Sequence, residues 1–143
     1  MANFSRTYFK KLLKTNEEKA INYIEKNRST MIFYDWYFLS SINIKIVSEN
    51  NIEYKYLSEK FIIKYKDYLD FEEVSRYQKL SEETIELLKD KIDWNYLVGF
   101  QKSLSLEFLI RNSKRFHKVW VRSNQKMNPK IRKKFLDYME LIS

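Results

Sequence analysis

The chain has no cysteine, one glycine, one proline and one histidine. Each scarcity excludes something. Without thiols there is no disulfide framework and no thiolate metal site. A zinc site would have His117 as its only nitrogen ligand and would need carboxylates for the rest, a donor set zinc seldom takes. With so little Gly and Pro, elements must be joined by polar caps rather than glycine turns. No apolar run approaches the ~20 residues a membrane span requires. The opening Met-Ala-Asn-Phe-Ser-Arg lacks the apolar core of a signal peptide. The expectation is a soluble, cytoplasmic protein that works without cofactor, metal, membrane or small-molecule substrate.

What is present suits a helical globule. Of 143 residues, 44% are hydrophobic and 32% charged, enough to build a core and too apolar for disorder. The strongest organisational signal is internal repetition. Leu57-Ser58-Glu59 recurs as Leu80-Ser81-Glu82, as Leu104-Ser105-Leu106 and, more loosely, as Met127-Asn128-Pro129, at intervals of 23, 24 and 23 residues. Gln78-Lys79, Gln101-Lys102 and Gln125-Lys126 keep step, as does Asp70-Phe71 with Asp93-Trp94.

These landmarks read as helix starts. Ser58, Ser81, Ser105 and Asn128 suit the N-cap, where a side-chain oxygen accepts an otherwise unpaired backbone N–H. Leu57 with Ile62, Leu80 with Ile85 and Leu104 with Leu109 have the spacing of hydrophobic staples. Pro129 falls at a first helical position, where its missing donor costs nothing. Asp70 and Asp93 read as caps of a second, shorter helix in each unit, and Asp35-Trp36, flanked by Tyr34 and Leu39, looks like another copy. Each unit is then a helix of about three turns plus a short one. Towards the N-terminus, Ser5 with a Phe4–Phe9 staple predicts a helix over about 6–14, and Thr15 with Glu18 predicts a capping box opening one over about 16–27. Residues 42–56 alternate apolar and polar around Ser48-Glu49-Asn50-Asn51 and read either as a small β-hairpin or as a shortened helical unit. The predicted fold is mainly α, an array of short helical hairpins with ~23-residue repeats. It forms one domain over 1–143, in which 1–56 holds divergent N-terminal helices and 57–143 the repeats.

The run Asp93-Trp94-Asn95-Tyr96-Leu97-Val98-Gly99-Phe100-Gln101-Lys102-Ser103-Leu104-Ser105 resembles a short repeat of phage and large-DNA-virus proteins. That repeat consists of Trp, then Ile or Leu followed by Ser, then Gln, Leu-Ser-Glu and Phe-Ile. Val74-Ser75, Gln78 and Leu80-Ser81-Glu82 keep it well, and Leu57-Ser58-Glu59-Lys60-Phe61-Ile62 keeps its second half. Val98 departs from the Ser, Leu106 from the Glu and Thr84 from the Phe. The resemblance covers about 57–126 and implies a viral or mobile-element origin and an interaction role.

Charge is the second signal. Residues 31–90 carry eight basic and twelve acidic side chains, whereas the whole chain is +8. From Phe108 to Leu136 there are ten cations and no acid: Arg111, Lys114, Arg115, Lys118, Arg122, Lys126, Lys130, Arg132, Lys133 and Lys134. Composition biased by AT-rich coding DNA would raise lysine generally but would not clear one stretch of acids. Spacings of three or four from Arg111 to Lys126 predict a shared face where the chain is helical. Lys130, Lys133 and Lys134 fall on the polar side of a last helix whose apolar side would be Ile131, Phe135, Met139 and Ile142.

Among aromatics, Trp36, Phe71 and Trp94 recur at one repeat position and read as core anchors, and Phe116 reads as core. Trp120 sits inside the acid-free stretch and is the aromatic expected to make a contact. His117 stands where Asp70 and Asp93 stand in other units, so a cap or a phosphate-facing group is expected of it. Glu72-Glu73 and Glu82-Glu83 occupy first turns, which the helix dipole explains without acid–base chemistry. Together these features point to a non-enzymatic binding protein that meets nucleic acid or a ribonucleoprotein effector complex. Size and resemblance add the expectation of an anti-defence, anti-CRISPR-like inhibitor; the other readings are a sequence-independent RNA/DNA-binding accessory and a protein–protein adaptor.

Overall fold

The structure, a computed structural model, describes residues 3–143 and is mainly helical with one small hairpin. Met1 and Ala2, part of the signal-peptide reading, lie outside the described residues. The chain forms two compact units, residues 1–70 and 71–143.

The first unit runs α1 (Arg6–Thr15), α2 (Glu17–Asn27), a one-turn 3-10 segment (Arg28–Thr30), α3 (Phe33–Ser40), β1 (Asn43–Ser48), β2 (Asn51–Tyr56) and α4 (Glu59–Lys64). Ser5 caps α1 by accepting from the Tyr8 N–H, and the Phe4 and Phe9 rings meet at 5.7 Å, as the staple requires. The cap of α2 is Asn16 rather than Thr15. Asn16 accepts from the Lys19 N–H, while the Thr15 hydroxyl turns back to donate to carbonyls of α1. A hydroxyl satisfied by the preceding helix is not available to start the next one.

Asp35 is also displaced from its predicted role. It lies in the first turn of α3, and its Oδ2 accepts the Ile32 N–H at 3.0 Å. The helix thus begins before Asp35, and Tyr34 is exposed instead of stapling Leu39.

Residues 43–56 adopt the hairpin. Ser48 pairs with Asn51 around the two residues Glu49-Asn50. β-Branched Ile44 and Ile46 share one face and Ile44 is buried, a pattern a helix could not satisfy at period two. In α4, Ser58 caps the Phe61 N–H at 3.0 Å, and Leu57 and Ile62 are both buried.

A polar cluster closes this unit. The buried Tyr65 ring sends its hydroxyl to donate to Glu25 at 2.9 Å, and Lys64 and Arg28 approach the same carboxylate. Tyr65's hydroxyl is pushed well up, first by burial and then by the carboxylate. The Tyr65 hydrogen bond, followed by the Lys64 charge, holds Glu25 below the usual carboxylate range.

The second unit contains α5 (Phe71–Tyr77), α6 (Glu82–Leu87), α7 (Trp94–Phe100), α8 (Leu106–Arg111), a 3-10 turn (Ser113–Arg115), α9 (Lys118–Arg122) and α10 (Pro129–Ile142). Ser81, Ser105 and Asn128 cap α6, α8 and α10, and Asp93 caps α7. From α5 to α9 the helices are short, at five to seven residues, so the predicted three-turn helix is absent there; α10, opened by Asn128, runs 14 residues and exceeds it. Leu88 and Asn112 end α6 and α8 in turns whose N–H groups bond back to the last carbonyls.

Helices α5, α7 and α9 pack side by side in one row. In the other row, α6 and α8 are joined by Glu82, whose carboxylate accepts the Ser105 N–H at 2.8 Å and hydroxyl at 3.0 Å. Leu106 cannot repeat that bond, and Asn128 caps two N–H groups of its own helix.

Buried amides bind each repeat to the one before it. Gln101 Nε2 donates to the carbonyls of Ser75 (3.0 Å) and Gln78 (2.6 Å). One repeat on, Asn124 Nδ2 donates to Val98 and Gln101 carbonyls, both at 2.8 Å, while its Oδ1 accepts the Lys126 and Met127 N–H groups. The repeat position after Gln101 is therefore Asn124, 23 residues on, and the predicted landmark Gln125 is exposed. A parallel series precedes α5, α7 and α9. Ser40 Oγ accepts the Asp70 N–H, and Ser75 Oγ accepts the Asp93 N–H. Where Val98 replaces the serine, Asn95 Oδ1 accepts the His117 N–H at 2.9 Å instead.

Asn124→Ala would strand two carbonyls and two N–H groups in the interior, and should cost about 2–4 kcal/mol in urea unfolding, whereas Gln125→Ala should leave the midpoint unmoved. Tyr65→Phe should cost about 1–2 kcal/mol at neutral pH. Because Glu25 titrates lower when folded, that penalty should be full above the unfolded carboxylate value, about 4.3, and shrink as pH falls through the folded value. Unfolding of both proteins across pH 2–7 checks it, and a penalty independent of pH would contradict the coupling.

Candidate nucleic-acid interface

The acid-free stretch is not one helix. It is divided among the end of α8, the 3-10 turn, α9, a tight turn and α10, so the predicted single face from Arg111 to Lys126 does not form. Four of the ten cations are engaged. Arg111 pairs with Glu86 at 3.6 Å across half-exposed side chains, a contact worth ~0–1 kcal/mol but one that cancels the local charge. Arg115 lies over the Trp94 ring at 4.9 Å. Arg132 donates to the Asn124 carbonyl at 2.7 Å, and Lys133 pairs with Asp137 at 2.9 Å. The side chains of Lys114, Lys118, Arg122, Lys126, Lys130 and Lys134 meet no acid or hydrogen-bond acceptor among the described residues.

Lys118 and Arg122, four apart, share one flank of α9. His117 caps that helix, its Nδ1 accepting from Val119 N–H at 3.3 Å, in the role Asp93 plays for α7. Lys126 follows in the turn, and Lys130 and Lys134 open the outward side of α10. The apolar side of α10 is centred on buried Phe135, which meets Phe116 at 5.7 Å, with Ile131 and Met139 half-buried; Ile142 is exposed, contrary to the predicted stripe. An open groove of about 700 Å³ lies beside α10, lined by Arg122, Leu136, Asp137, Glu140 and Leu141. The last turns of α10 therefore bring acids towards Arg122, and the cationic surface ends there.

Trp120 does not belong to this surface. On a five-residue helix it lies roughly half a turn from Lys118 and Arg122. Its ring packs on α7, edge-on to Tyr96 at 5.4 Å and against Gly99, where an added Cβ would fall 2.9 Å from Trp120 Cε3. The chain's one glycine makes room for this indole. Trp120 thus packs on α7 while staying half-exposed. Of the predicted anchors, Trp36 and Phe71 are buried; Trp94 is half-buried, stacked near Phe108 and donating Nε1–H to the Lys89 carbonyl.

Sequence reasoning missed a cation outside the acid-free stretch. Arg76, at the end of α5, lies over three rings, Phe100 at 4.8 Å, Tyr77 at 5.0 Å and Tyr96 at 5.8 Å. It also missed exposed apolar groups in the first unit, among them Ile32 just before α3, Phe33 and Tyr34 in α3, and Val47, Ile52 and Tyr54 of the hairpin. Among the described residues no His, Asp or Glu group is placed to hold a metal ion, and no helix is long and apolar enough to cross a membrane. Comparison with protein families, curated proteins and solved structures yields no match.

Gly99→Ala should destabilise by about 1–3 kcal/mol through overpacking, less about 1 kcal/mol regained in helix propensity. In a Trp120→Ala background the same change should be neutral or stabilising. A double-mutant cycle in urea reads the coupling, and additive effects would refute the packing role.

Proposed function

We propose that the chain is a non-catalytic binding protein that docks onto nucleic acid or a nucleoprotein through the α9–α10 end of its second unit. The observation that carries this reading is the set of unpaired cations on consecutive elements, Lys118, Arg122, Lys126, Lys130 and Lys134, with Lys114 close by in sequence. Like charges held this near one another repel, and a polyanion relieves that cost. Glu82 and Glu83 sit in the first turn of α6 and His117 caps α9, roles that suit a non-catalytic reading. With lysines presented to solvent and no metal-holding cluster among the described residues, the contact is to phosphate rather than to base edges.

Within this reading, the inhibitor of a nucleic-acid-directed defence complex is the form we favour. A small cationic body can occupy a channel built for guide or target strands, and the virus-type repeat supports a mobile-element role. Direct binding to free RNA or DNA distinguishes the accessory protein from the inhibitor, which would bind only the assembled ribonucleoprotein.

Gel-shift and co-purification assays test the surface. With about four phosphates engaged, affinity should fall roughly a hundredfold between about 50 and 200 mM salt. Lys118→Glu with Arg122→Glu and Lys126→Glu should abolish binding, whereas Arg111→Ala, already paired, should change it less than about twofold. Full binding by the triple variant, to nucleic acid and nucleoprotein alike, would refute the interface.

A further inference from the structure

Arg76 stands apart from the other cations. Its guanidinium meets no carboxylate and makes no hydrogen bond among the described residues, and its Nε is buried without a partner. A buried, unpaired donor on a charged group is costly unless something supplies an acceptor. Three rings hold it in place: its guanidinium lies over Phe100, Tyr77 and Tyr96. The row continues from Tyr96 to Trp120 at 5.4 Å, so α5, α7 and α9 present one guanidinium and a run of half-exposed aromatics on contiguous helices.

Aromatic packing fixes a planar guanidinium without neutralising it and leaves its terminal nitrogens as a fork for a phosphate. Ring edges and faces beside such a fork suit unpaired bases, which stack without regard to sequence. A duplex keeps its base faces covered and could use only the charge. We infer that Arg76, with Tyr77, Tyr96 and Phe100, forms a subsite for the phosphodiester and adjoining base of a single-stranded nucleic acid. This deepens the function proposed above and rests on its accessory form, in which the chain binds free nucleic acid. Stacked helices lie about 8–10 Å apart, so α5 and α9 are separated by roughly 16–20 Å, a distance a short single strand can bridge to reach the α9–α10 cations.

The test uses the full chain, a labelled thymidine oligonucleotide of about twelve residues and a duplex of equal length, read by fluorescence polarisation. The wild type should prefer the single strand about tenfold. Arg76→Gln should remove that preference, lower the single-strand salt slope by about 0.7 and leave duplex binding unchanged. Equal binding of both probes by the wild type, or an unaltered preference in Arg76→Gln, overturns the subsite while the α9–α10 interface stands. Absence of binding to either probe overturns the subsite, and the interface is then judged by nucleoprotein co-purification. Should Arg76→Gln fold poorly, photocrosslinking the wild type to a 4-thiothymidine strand decides. Adducts within residues 76–100 support the subsite, and adducts confined to 118–134 overturn it.

Discussion

Carbonyls at the end of a helix face inward only if something in the interior accepts the duty of bonding them. Here that duty falls to Gln101 and Asn124. Each lies buried at the close of a short helix and bonds the carbonyls that finish the corresponding helix of the preceding repeat. Helices of five to seven residues are too short to be stable alone. Their last carbonyls are a large share of their backbone, so a repeat built from them needs these side-chain amides more than a long-helix bundle would. The serine hydroxyl series and the Glu82–Ser105 bond add a second and third tie between neighbours. Repeats register with one another through polar contacts of fixed geometry, and the leucines and phenylalanines fill the space those contacts define.

This architecture controls where charge ends up. Breaking the cationic stretch into short elements turns residues three and four apart towards different neighbours. Arg111 reaches back to Glu86, Arg115 to Trp94 and Arg132 into the turn at Asn124. The remaining lysines, with Arg122, lie on α9, the turn after it and the first half of α10, ahead of Asp137 and Glu140. Arg76 acquires importance by the same logic. Unremarkable in an acidic stretch of sequence, it is brought under the aromatic residues of the next repeat by the stacking of α5 on α7.

Much was legible in the residues themselves. Ser5, Ser58, Ser81, Ser105, Asp93, His117 and Asn128 are caps as read, because capping is a local interaction within four residues. The readings that failed were those in which a nearby competitor took the same group. Thr15 bonds the helix before it and Asn16 takes the cap. Asp35 bonds back to Ile32 from inside its helix. Asn124 is buried in the position that Gln125 matched by letter. The seat of Trp120 was not legible because its partner, Gly99, is a residue without a side chain and leaves no mark in a search for contacts.

By itself the sequence determined the period of the repeat, the helix starts, the staples and the excess of cations towards one end, since each depends on neighbours a few residues away. Tertiary structure alone decided which cations stay free, which amide bridges two repeats, and that Arg76 lies on Phe100 and Tyr96. Most of those outcomes depend on groups about twenty or more residues apart meeting at ångström distances, and no local propensity encodes such a meeting.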